Sequence, residues 1–184
     1  VALNALNNDA SSYNTAVGYA AGLSVTTGIQ NTLIGGLVGD ALTDADRNTV
    51  LGYQALTTDT QGSRTVAIGF NALATQNFTS ATDSYNTAVG YGAGEVITTA
   101  TGVTLIGGLC GDSLTTGGSN VAVGSQSLGA ETGGTANVAV GKGTLQVQNV
   151  NSTAYNTAVG HEAGNDITTG VNNVLIGALA GDAL

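Results

Sequence analysis

A glycine returns every 17 residues. It stands at Gly18, Gly35, Gly52, Gly69, Gly90, Gly107, Gly124, Gly141, Gly160 and Gly177, and only the intervals after the fourth and eighth differ, at 21 and 19. A unit this short cannot bury an apolar face alone, whereas stacked copies can, so the period predicts a solenoid. The neighbours of the glycine are equally regular. The place before it is always Val, Ile or Leu, the third place before it is Thr or Val, and Ala, Leu or Val stands between. Strand side chains alternate faces, so this is a short strand that is apolar on both. One face fills the interior of a coil, and the other needs a partner surface. On this reading Ile68 and Ile106 belong to a thin core, where an Asp would abolish folding.

Other columns share the period. Four residues before the glycine, Asn recurs at 14, 31, 48, 86, 120, 137, 156 and 173, with Thr65 and Val103 as exceptions. Asn tolerates turn conformations, and stacked amides hydrogen-bond from coil to coil, so the column reads as a turn ladder rather than a sugar-binding row. Four residues after the glycine stands Gly or Leu. Where it is Gly, an aliphatic follows three places later (Val25, Leu42, Ile97, Leu114, Ile167 and Leu184); where it is Leu, that place is polar (Asp59, Gln76, Glu131, Gln148). Each coil thus supplies one large aliphatic by one of two routes, and the routes alternate in pairs. The result is a single repeat rod over residues 1–184, with four-coil blocks at 14–85 and 86–155 and a partial block at 156–184. Eight residues after the glycine lies a Thr column, from Thr26 to Thr168, that fits a parallel β surface. The expected coil has two short strands and two turns. Ten coils at about 4.8 Å make a rod on the order of 45 Å long.

Composition agrees with a thin core. The chain has 29 glycines, no proline, tryptophan or methionine, and 4% aromatic residues. Its net charge is −9, and Arg47, Arg64 and Lys142 are the only basic residues besides His161. Three scattered cations cannot neutralise a row of phosphates or an anionic bilayer surface, which argues against nucleic-acid binding and against membrane association. No apolar run approaches the roughly 20 residues of a membrane span. The first residue, Val1, reads as the start of a fragment or a processed product. The doubly apolar strand implies side-by-side association, most simply a homotrimer of parallel β-rolls.

The stretches NTAVGYAAG, RNTVLGYQAL, RTVAIGFNAL and SNVAVGSQSL resemble the coils in the heads of trimeric autotransporter adhesins. They are closer still to repeat arrays in tail-fibre proteins of tailed bacteriophages, which often precede a self-cleaving chaperone domain. The resemblance covers nearly the whole chain and implies a left-handed β-roll and a homotrimer. It departs from the adhesin heads in its longer unit and two insertions, and no coiled-coil stalk, membrane anchor or chaperone domain is visible. The function it implies is a non-enzymatic structural and receptor-binding fibre segment in a virion or on a cell surface, touching a host glycan or protein. A bacterial adhesin head, a self-associating extracellular filament and an ice-binding solenoid built on the Thr column are the alternatives.

No catalytic constellation is visible, and no cofactor is implied. His161 and Glu162 are too few ligands for a metal. Cys110 shares a column with Val38 and Ala180 and reads as a small buried residue. GGLVGDAL and its copies approach a calcium-binding nonapeptide, which makes Asp40, Asp112 and Asp182 weak calcium candidates; one Asp per block is too few carboxylates, and turn roles fit better. The insertions, Phe78 to Ser84 and Val150 to Ala154, must bulge from one face, where binding often occurs. Phe78, Thr79, Ser80, Thr82, Asp83, Asn151 and Ser152 are therefore the candidate receptor-binding residues. Asn77-Phe78-Thr79 and Asn151-Ser152-Thr153 also match glycosylation sequons.

Overall fold

The computed structural model describes residues 1–6 and 11–182, so Leu184, the aliphatic expected in the last coil, lies outside the described residues. In chain order its strands are β1 (Thr15–Val17), β2 (Thr32–Ile34), β3 (Thr49–Leu51), β4 (Gly62–Ser63), β5 (Val66–Ile68), β6 (Thr82–Asp83), β7 (Thr87–Val89), β8 (Thr104–Ile106), β9 (Val121–Val123), β10 (Val138–Val140), β11 (Thr157–Val159) and β12 (Val174–Ile176). Ten of them, one per coil, form a single parallel sheet in sequence order, and β4 and β6 form a separate pair. Register follows the repeat without slippage: Ala16 faces Leu33, Leu33 faces Val50, and Leu105 faces Ala122. The chain is an all-β parallel solenoid of ten turns.

Each coil is bent by backbone that most residues avoid. The repeat glycine takes a φ between 126° and 144° along the column, and a Cβ built on Gly107 would lie 2.5 Å from the carbonyl oxygen of Gly124. No L-residue fits there, which is why the period is written in glycine. Left-handed corners follow two and four residues later, and another precedes the Asn column. Side chains as large as Leu73 (φ 52°) and Arg64 (φ 58°) occupy them. Each such residue costs about 1–2 kcal/mol, offset by the coil-to-coil hydrogen bonds that the corners align.

The interior is a narrow column. The middle residue of each internal strand is buried, as are the small residues three after the glycine and both kinds of aliphatic filler, Leu56 and Leu73 by one route and Leu42 and Ile97 by the other. The two routes exclude each other sterically: a Cβ on Gly94 would approach Ile97 and Leu105 to 2.9 and 2.8 Å. Cys110 is buried, its thiol donating weakly to the Ala122 carbonyl at 3.2 Å, and burial pushes its pKa up to about 12. Ser127 occupies the same column and donates to Ala139 in the same way.

Two expectations are corrected. The residue before the glycine faces outward, not into the core: Ile106 is 40% exposed and Ile34 37%. The strand is three residues long, so its centre points in and both flanks point out. Among the described residues the second strand of the coil forms only as β4 and β6, with a single parallel bridge between Thr135 and Thr153. Its Thr column instead ties bends together through side chains: the Thr43 and Thr115 hydroxyls donate to the carbonyls of Thr60 and Thr132 at 3.0 and 2.9 Å. Thr26 and Thr98 donate along the stack in the same way, at 3.2 and 3.3 Å.

Candidate functional site

The Asn column is the seam of the coil. Asn31 accepts the backbone N–H of Asn48 on its Oδ1 at 3.0 Å, while its Nδ2 donates across the coil to the Ala45 carbonyl at 2.8 Å. Asn14, Asn48, Asn86, Asn120 and Asn156 donate across the coil in the same way, and the internal members are fully buried. The ladder is structural. At Thr65 the amide is missing, and Ser84 fills in: its Oγ lies 2.7 Å from Thr65 Oγ1 and accepts the Asn86 N–H at 3.3 Å.

Ser84 belongs to the first insertion, whose path is now explicit. Phe78 keeps its place in the repeat, accepting the Gln61 N–H, and Thr82 and Asp83 pair with Gly62 and Ser63. Thr79, Ser80 and Ala81 are therefore the exposed bulge. Phe78 is 7% exposed, so its ring is spent inside and offers nothing to a partner. Asp83 forms an ion pair with Arg64, whose guanidinium sits 5.7 Å from the Tyr85 ring centroid. In the second insertion Thr135 bridges to Thr153, and Asn151 and Ser152 stand exposed. Asn151 takes a left-handed turn (φ 53°) and accepts the Thr132 hydroxyl at 2.5 Å.

Two buried carboxylates hold the bases of these bulges. Asp59 Oδ1 accepts the N–H groups of Phe78 and Gly62 at 2.9 and 3.1 Å, and Oδ2 accepts Gln76 Nε2 at 2.6 Å. Glu131, one block on, accepts Gly134 N–H at 2.7 Å, Val150 N–H at 3.2 Å and Gln148 Nε2 at 3.0 Å. Gln76 and Gln148 then accept the ladder amides of Asn86 and Asn156. Burial raises the Asp59 pKa, and its hydrogen bonds from Gln76 and the backbone oppose that rise. The polar residue that accompanies Leu in the repeat is thus a buried anchor for the insertion that follows, a role the sequence pattern alone does not announce.

The calcium candidates do not converge. Asp40 accepts the Thr57 hydroxyl at 2.6 Å, Asp112 is half-buried four coils away, and Asp182 is exposed on the last coil. Among the described residues, no three His, Cys, Asp or Glu side chains come together. His161 is exposed, 3.7 Å from Glu162, which also meets Lys142 at 3.6 Å.

The most distinctive surface is the outward wall of the ten-stranded sheet. Each coil contributes four positions: the left-handed corner before the Asn, the two outward strand residues, and the residue after the glycine. Aliphatics line the middle, including Val17 (57% exposed), Leu51 and Val159. All six tyrosines of the chain stand on the flanks: Tyr13, Tyr85 and Tyr155 on one, and Tyr19, Tyr53 and Tyr91 on the other. Tyr53, Phe70 and Tyr91 stack along the rod, with ring centroids 5.8 and 5.3 Å apart. Arg47, Arg64 and Lys142, the whole Lys and Arg complement, lie on the same wall, paired from its edges by Asp46, Asp83 and Glu162, and among the described residues no carboxylate occupies one of the four positions. At about 4.8 Å per coil and 3.3 Å per residue the wall covers roughly 700–900 Å². Compared with family models, curated proteins and solved structures, the chain has no match.

Proposed function

We propose that this chain is a non-enzymatic structural and receptor-binding fibre segment, most simply of a phage tail fibre. In this reading it is a left-handed β-roll that associates through its outward wall with two further copies of itself. It works in a virion or at a cell surface and attaches to a host glycan or protein. The composition of the wall is the observation that carries this reading. Tyrosine and arginine are enriched at protein interfaces and carboxylates are depleted from their cores. The largest apolar patch on a typical monomer is about 300–600 Å², and a stable interface covers about 800 Å² per partner. A wall of this size, with every tyrosine on it and no described carboxylate at its four positions, fits a second copy of the same chain. The other faces carry the net negative charge and repel one another, leaving the wall as the face along which rods can meet.

The test is oligomeric state by light scattering on the purified chain, with Ile106→Asp and Ile68→Asp beside it. The wild type is expected as a trimer and both variants as folded monomers with unchanged far-ultraviolet circular dichroism. A wild-type monomer at micromolar concentration overturns the reading. Variants that remain trimeric place the contact on another face.

A further inference from the structure

The four-coil blocks invite a comparison of the molecule with itself, and one surface site differs between them. In the first block the Asp40 carboxylate is met by the Thr57 hydroxyl at 2.6 Å, which closes that part of the surface. In the second block, 72 residues on, the aspartate is retained as Asp112, but Gly129 stands where Thr57 stood. An open depression of about 300 Å³ results, lined by Asp112, Ser113, Gln126, Gln146 and Val147, with Gly129 in its floor. A Cβ on Gly129 would lie 3.6 Å from Asp112 Oδ1, so the missing side chain is what leaves the space. Gln146 replaces Ala74 of the first block and adds an amide that the closed site lacks. Among the described residues, no side chain donates to Asp112, and the side-chain amides of Gln126 and Gln146 are committed to no other group.

We propose that this depression is a saccharide subsite, in which Asp112 accepts the hydroxyls of a neutral sugar while Gln126 and Gln146 both donate and accept. The chemistry selects that class. One carboxylate without a second is too little for a divalent cation, and the site has no cation for an anionic ligand. Alternating donors and acceptors suit a polyhydroxylated ring, and Val147, 41% exposed, gives its C–H face an apolar rest. The volume lies at the lower end of small-molecule sites, about 300–1,000 Å³. The lining residues lie outside the aliphatic stripe through which copies are proposed to meet. The Asp112 carboxyl is held above its ordinary pKa, first by burial and then by the negative charge of Glu95. Binding is therefore expected to weaken on acidification, as the acceptor is protonated. The inference rests on the attachment reading for the source of the sugar, not for its binding.

The experiment is saturation-transfer NMR of the full chain with a panel of methyl glycosides of glucose, galactose, mannose and N-acetylglucosamine, on the wild type, Gly129→Thr and Asp40→Asn. At least one glycoside is expected to bind the wild type and Asp40→Asn alike. It should bind Gly129→Thr about tenfold more weakly or worse, because that variant rebuilds the Thr57 arrangement. No binding by any glycoside, or equal binding by Gly129→Thr with an unchanged melting temperature, overturns the subsite. Adhesion to bacterial cells, measured in parallel, separates the two claims. Sugar binding without adhesion sustains the subsite and removes the attachment reading, whereas adhesion unaffected by Gly129→Thr with no glycoside bound does the reverse.

Discussion

Asp59 and Glu131 are the residues on which local order most depends. Each is fully buried and satisfies backbone N–H groups that no other side chain reaches. Asp59→Ala leaves the Phe78 and Gly62 amides without an acceptor and leaves Gln76 Nε2 only Thr65 Oγ1 at 3.3 Å. Each buried donor left unpaired costs about 1–3 kcal/mol, so with two such amides a loss of a few kcal/mol is expected in urea denaturation. The pH dependence has a definite sign. Burial raises the folded pKa of Asp59, so the folded chain holds the proton to higher pH than the unfolded chain. Its stabilising contribution is complete below the ordinary value near 3.8 and is lost as pH rises through the raised one. Asp59→Asn should flatten the stability curve in that window, as melts at stepped pH would show. The sequence displays these residues as polar interruptions of an aliphatic column but not as buried ones, because burial depends on Gln76 and Gln148 one coil later. The Asn ladder was legible, since its repetition at one place beside a strand left little else for it to do.

The ten strands and their register could be read from the 17-residue period, because parallel in-register pairing is the arrangement that stacks like on like. The direction of each strand face could not. Val17 and Ala16 are both apolar, and only the corners at the repeat glycine and the Asn decide which points inward. The Thr column misled for a related reason: β-branched residues suit a sheet, yet here they ride on bends whose hydroxyls do the linking. The insertions were correctly placed as bulges, but their anchoring was hidden. Phe78 and Thr82 both retain their pairing, so the bulge is three residues, Thr79 to Ala81, and not seven. Deleting those three is expected to leave the melting temperature within a few degrees of the wild type while reducing adhesion to cells. Adhesion at the wild-type level would make this loop a tolerated bulge and nothing more.

In a stack where each coil touches only its neighbours, stability is nearly a sum of coil and interface terms. The end coils have one neighbour and the inner coils two. Val174 and Ile176 on the last strand are 70% and 73% exposed, against 40% for Ile106 in the middle. Hydrogen exchange should therefore be fastest in the β12 coil and slowest from β7 to β9, as amide-resolved mass spectrometry would show. Uniform protection along the rod would mean that the coils open as one unit. Charge is also organised at this scale: the cations lie on one wall, and the described carboxylates lie at its edges or on the other faces.

Two rhythms are superposed on the outward wall. The aliphatic stripe repeats with every coil, about 4.8 Å, whereas Tyr13, Tyr85 and Tyr155 come round only every fourth, about 19 Å. A neighbour shifted by one rung would find matching grease but mismatched notches, and both would coincide again only after four rungs. Rods laid together would therefore settle at a few widely separated offsets rather than glide, with the tyrosines acting as graduations on a measuring stick.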